Sequence, residues 1–226
     1  LTATEQIGTA ANPLDTQTVA SSINAFTSGS NVDIVIDNNT TADTDLTAQT
    51  TGANANIDFD QDGGGNLRVI ASTTNDGQID ILVDNGNLVA DVVTAGGSGR
   101  DVTLTTTNQG DVGLGLVTAL EDQVDINAQG EIYDDNGLIN NITTRDLVMF
   151  GRDGIDTDIR IDGELTAVST DADVDIFADA QPDPDLDLDV VSIDAGSGRI
   201  FLDADGTIDL RAGQLTSNRW IELDAT

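Results

Sequence analysis

Asp58, Asp60, Asp62 and Gly63 reproduce the first half of an EF-hand-type calcium loop, where carboxylates two residues apart converge on one ion and glycine allows a sharp turn. The bidentate Glu that would close such a loop is replaced by Val69. Asp alternating along the outer face of a β-strand gives the same spacing with no ion bound. Asp183, Asp185, Asp187 and Asp189 form a second row behind Pro182 and Pro184, and Asp171, Asp173 and Asp175 a third. Both read as solvated faces that gather cations loosely. Calcium or another divalent cation is therefore an optional ligand at Asp58, Asp60 and Asp62, or at Asp183, Asp185 and Asp187, and no cofactor is required.

Catalysis finds little to work with. Two carboxyls at a defined separation around a sugar could hydrolyse a glycosidic bond, but with 36 Asp in the chain such pairs arise everywhere. Lyase chemistry would use a Lys, Arg or His beside the abstracted proton, and of these only scattered Arg occur. Sugar clefts offer stacked aromatics, whereas Tyr133 and Trp220 stand alone in the sequence, and Trp220 reads as a core or end-packing residue. Arg68, Arg160 and Arg211 take outward strand positions, while Arg100 and Arg199 follow Gly-Ser-Gly turns. Each is expected to bridge Asp residues on neighbouring structural repeats, and no enzyme activity is expected.

Charge sets further limits. The 41 acidic residues stand against 8 basic ones, all Arg, for a formal net charge of −33. Nucleic acid is bound by neutralising its phosphates, so it is not an expected partner, and an anionic membrane surface would repel the chain. No apolar run approaches the roughly 20 residues that a membrane-spanning helix needs. Cys is absent, which removes disulfides and thiolate metal sites. Disorder, the other reading of so acidic a chain, conflicts with β-branched alternation that persists from end to end.

That alternation supplies the elements. Ile200, Phe201 and Leu202 are followed by an Asp/Gly turn and then by Ile208, Asp209 and Leu210, with Ile208 and Leu210 expected on one face. Similar triplets recur at Val32, Asp33, Ile34; Ile57, Asp58, Phe59; Ile79, Asp80, Ile81; Val102, Thr103, Leu104; Val124, Asp125, Ile126; and Val174, Asp175, Ile176. A second series interleaves at Leu46, Leu67, Leu88, Val112 and Ile132. A period near 22 residues holding at least two strands leaves no room for crossover helices. The economical solution is all-β: a parallel β-helix, or β-solenoid, of about 22 residues per coil and roughly ten coils, with three sides favoured. Residues 1–226 then form one continuous solenoid segment of a longer chain or filament.

Longer echoes support duplication of coils. Val19, Ile23, Ala25, Val32, Asp33 and Ile34 match Ile161, Leu165, Ala167, Val174, Asp175 and Ile176 at an offset of 142. Asp91, Val92 and Val93 match Asp189, Val190 and Val191, each group followed by Gly-Ser-Gly-Arg. Residues 7–14, and the run Gly130, Glu131, Ile132, Tyr133, Asp134, Asp135, Asn136, Gly137 leading to Asn141, Ile142 and Thr143, resemble repeats of large filamentous-haemagglutinin-like bacterial exoproteins. The resemblance implies a right-handed parallel β-helix, a role in the shaft of a surface adhesin, and no catalytic residues.

The expectation is a structural rod of an extracellular bacterial fibre or giant surface adhesin, located outside the cell or at its surface. Its partner would be itself, head to tail or within a longer solenoid, with a host or cell-surface glycan or protein as a further partner. The alternative is a calcium- or glycan-binding module whose acidic rows are the function. Ten coils would make a rod of roughly 48 Å carrying one charge per about 1.5 Å, near the density of duplex DNA.

Overall fold

Strand Ile57–Asp62 shows the rule that builds the molecule: Ile57, Phe59 and Gln61 are buried while Asp58, Asp60 and Asp62 face outward. It pairs in parallel with Ile34–Asn39 on one side and Ile79–Asp84 on the other, so each strand lies between those of the preceding and following turns. The computed structural model describes residues 1–17, 21–99, 101–137, 139–170, 172–178, 187–204, 207–210 and 214–225, with no helix among them. They wind as a parallel β-solenoid of about nine turns, roughly 23 residues apart.

Three short ladders make up each turn. Inward residues of the first side stack as Ile34, Ile57, Ile79, Val102, Val124, Leu147, Leu165 and Val190, each at most 1% exposed. Burying a side chain of this size contributes about 1.5–3 kcal/mol, so this column is a main source of stability. The second side stacks Leu67, Leu88, Val112, Ile132, Ile155, Val174 and Ile200. The third is narrower, with Ser72, Val93, Val117, Ile142, Ile159 and Ala178 facing in. Strand Val112–Ala128 passes through all three, bending where its register shifts between Ala119 and Gln123.

The structure corrects several register assignments. Ile57 pairs with Ile34, so Val32 is not a member of that column, and Leu67 pairs with Thr44 rather than Leu46. Val174, Asp175 and Ile176 belong to the second side, although their sequence copies the first. The offset of 142 therefore superposes different sides: Ile23 lies in the ladder continued by Leu46 and Val69, whereas Leu165 follows Leu147 on the first side. Both sides demand inward apolar residues at every second position, so their sequences look alike. The Val93 and Val191 echo fails similarly, for Val93 is buried and Val191 exposed. Leu210 is exposed beyond the end of strand Thr207–Asp209 and does not share a buried face with Ile208. Val19, Arg100 and Arg211 lie outside the described residues.

First-side steps run 23, 22, 23, 22 and 23 residues to Leu147, then 18 to Leu165 and 25 to Val190. Strand lengths are fixed by stacking, so corners absorb the difference. The period was thus legible only over the regular coils.

Candidate functional site

Two corners of the solenoid carry ladders of polar side chains. Before the first side, Asp33 accepts from the Asn56 backbone N–H at 2.8 Å, Asn56 from Gln78 at 2.9 Å, Asp101 from Gln123 at 3.2 Å and Asp146 from Glu164 at 3.0 Å. Before the second side, Asn66 accepts from Asn87, Asn87 from Asp111 and Asp111 from Glu131, at 2.9–3.0 Å. Each side-chain oxygen satisfies a corner N–H of the next coil that no strand partner reaches. Part of the acidic composition is therefore architectural.

The row Asp58, Asp60, Asp62 belongs to an outward acidic lattice. Asp60 stacks on Asp37, which stacks on Asp15, and Asp58 stacks on Asp80. Neighbours are about 4.8 Å apart between coils and about 6.6 Å apart along the strand. Burial, then the charges of Asp58, Asp62, Asp37 and Asp80, push the Asp60 carboxyl up from 3.8 to about 6. Burial likewise raises Asp58, Asp80 and Asp37, each helped by neighbouring carboxylates. The carboxylates line up rather than converge, and among the described residues no group of three or more is arranged to hold a metal ion. Asp183, Asp185 and Asp171 lie outside the described residues; Asp187 opens strand Asp187–Asp194, but its side chain is likewise outside.

Among the arginines, Arg68 reaches Asp91 of the next coil at 2.9 Å, and Arg199 binds Asp173 of the preceding coil. Arg145 and Arg152 instead pair with their sequence neighbours Asp146 and Asp153 at 2.8 and 3.0 Å. Of the arginines expected to bridge coils, Arg68 and Arg199 do so, while Arg100 and Arg211 lie outside the described residues.

A different place gathers the aromatic residues. The corner before the second side continues through Gly154, Asp173, Arg199 and Trp220, linked because Ile155, Val174 and Ile200 each donate a backbone N–H to the corner carbonyl of the following coil. Asp173 and Arg199 also join through their side chains, and the Arg199 guanidinium lies 5.2 Å from the Trp220 ring centroid. Gly154 interrupts the column of side chains at φ +138°, and a Cβ there would be met no closer than 3.5 Å, at Ala172. The gap opens a cavity of about 440 Å³ bordered by Glu131, Asp156, Asp173, Asp175 and Arg219. A second, of about 190 Å³, lies between Asp175, Phe201 and Trp220 and shares Asp173 and Asp175 with the first.

The outward column beside this corner reads Asp156, Asp175, Phe201 and Glu222. Tyr133 precedes Asp156 in it, since Ile132 pairs with Ile155. Phe177, 37% exposed, stands one position along from Asp175 on the same face. Trp220 is 45% exposed and not a core residue, whereas the Tyr133 ring lies across Gly113 of the preceding coil. Burial first, and then neighbouring carboxylates, raise Glu131, Asp156 and Asp175; hydrogen bonds from Arg199 hold Asp173 below the usual carboxylate range. Sequence reading missed this cleft because its aromatics lie tens of residues apart and meet only through stacking. The register Ile132, Ile155, Val174, Ile200, Ile221 was the signal that could have found it.

Among the described residues, no helix is long and apolar enough to cross a membrane. Comparison with known protein families, curated proteins and solved structures finds no match to this chain.

Proposed function

We propose that this chain is a structural rod, a segment of an extracellular fibre or giant surface adhesin that continues coil upon coil. The observation that carries the reading is the unbroken column Ile34, Ile57, Ile79, Val102, Val124, Leu147, Leu165 and Val190, in which each coil buries its apolar residues against its neighbours. Coils that contact only the coils before and after them build an extended rod, which lengthens by adding coils that make the same contacts. Contact between one end and the opposite end of a second copy does not close on itself, and so propagates as a filament. The resemblance of residues 7–14 and 130–143 to filamentous-haemagglutinin-like repeats supports a surface location.

Immunogold labelling of intact source cells with antibody to this chain tests the reading. Label is expected along surface fibres; label confined to the cell interior would contradict it.

A further inference from the structure

We propose that the cleft between Asp156 and Trp220 binds a short, neutral oligosaccharide lying along the rod axis. The column Asp156, Asp175, Phe201 sets two carboxylates beside an aromatic ring, with Trp220 at the adjoining corner. Two coil steps span about 10 Å, which suits two or three linked sugar rings rather than one. Aromatic faces pack against the C–H surface of a pyranose, while carboxylates accept hydrogen bonds from its hydroxyls. The two adjacent cavities share Asp173 and Asp175, and the larger opens where Gly154 leaves a gap in the corner column.

The neutral class follows from charge. Glu131, Asp153, Asp156, Asp173 and Asp175 border the larger cavity against Arg219, so an acidic sugar would be repelled. Arg199 is already engaged by Asp173 and stacked on Trp220, which fixes the ring at the cleft's edge. Three of the chain's seven aromatic residues, Phe177, Phe201 and Trp220, face outward at this end of the second side. Covering exposed aromatic rings is favourable, and aromatic walls with a few placed polar groups are what a small-ligand cleft offers. The cleft lies on the flank, so it stays open whether or not the rod's ends are joined.

Trp220 is the chain's single tryptophan, so its emission reports on this cleft alone. The test is titration of the intact chain, at physiological ionic strength, with cellotetraose, maltotetraose, chitotetraose and, as a competing class, tetra-arginine. A saturable change in emission with at least one of the sugars is expected, at one site per chain by calorimetry. Phe201→Ala and Asp175→Asn should each weaken it at least tenfold without lowering the melting midpoint. Both side chains face outward; if Phe201→Ala does lower the midpoint, Asp175→Asn carries the comparison. Absence of a saturable response to all three sugars, a response that survives Asp175→Asn, or a response to tetra-arginine alone would overturn the proposal.

Discussion

Asn38 donates from Nδ2 to Gln61 Oε1 at 2.7 Å, one coil apart and with both side chains fully buried. Thr16 donates to Asn38 Oδ1 at 2.8 Å, so three successive coils share one polar column, which passes to apolar Val83 on the next. Gln61→Val removes the shorter of two acceptors of Asn38 Nδ2, leaving Thr44 Oγ1 at 3.3 Å, and should cost about 0.5–1.5 kcal/mol in urea unfolding. The double change with Asn38→Val should recover part of that loss, because it removes the weakened donor as well.

Val102 is buried between Ile79 and Val124, and Thr103 faces outward between Asp80 and Asp125. Val102→Asp buries an unpaired charge and should cost at least about 3 kcal/mol by thermal or urea unfolding. Thr103→Asn should stay within about 0.5 kcal/mol of the parent. Thr103→Asp should cost more than Thr103→Asn, and salt should reduce the difference, because it completes a run of like charges. Comparable losses for Val102→Asp and Thr103→Asn would refute the assignment of faces.

Asp60 makes stability depend on pH. Its folded pKa is raised from 3.8 to about 6, so the folded state holds the proton more tightly than the unfolded chain. The stabilisation is fully present below about pH 4 and is lost as pH rises through about 6. The melting midpoint should therefore rise on acidification from pH 7 to pH 5. Asp60→Asn should melt higher than the parent at pH 7 and flatten the slope between pH 4 and 6. Asp153 and Asp173, held low by Arg152 and Arg199, act oppositely at lower pH and should bring stability down again.

The alternation of Ile57, Asp58 and Phe59 announced both the strand and its inward face, because one buried side and one wet side are written residue by residue. The stacking of Ile79 on Ile57 followed from the period. Which side Val174 joins was not legible, since first and second sides impose the same pattern and the 18- and 25-residue turns break the count. Asp58, Asp60 and Asp62 were found as a row, but whether carboxylates converge is decided by strand twist and packing, which spacing alone does not encode. The cleft was hidden for another reason: Phe201 and Trp220 become neighbours only when coils stack, and the gap at Gly154 is an absence of side chain.

Charge density sets the response to salt. Nine turns at about 4.8 Å give a rod of roughly 43 Å, so the formal charge of −33 amounts to one per about 1.3 Å. The melting midpoint should rise with sodium chloride, and further with calcium or magnesium at equal ionic strength, measured by circular dichroism after chelator treatment. Indifference to both would show that the outward carboxylates do not repel one another.

Stacking of coil upon coil into a rod is the central claim, and light scattering of the isolated chain over a concentration series, with electron microscopy of the same samples, tests it most directly. At physiological ionic strength the mass should climb with concentration and unbranched rods of uniform width should appear. Leu223→Asp, which places a charge in the column of Leu202, should suppress both. A monodisperse monomer at every concentration, indistinguishable from Leu223→Asp, would contradict the account.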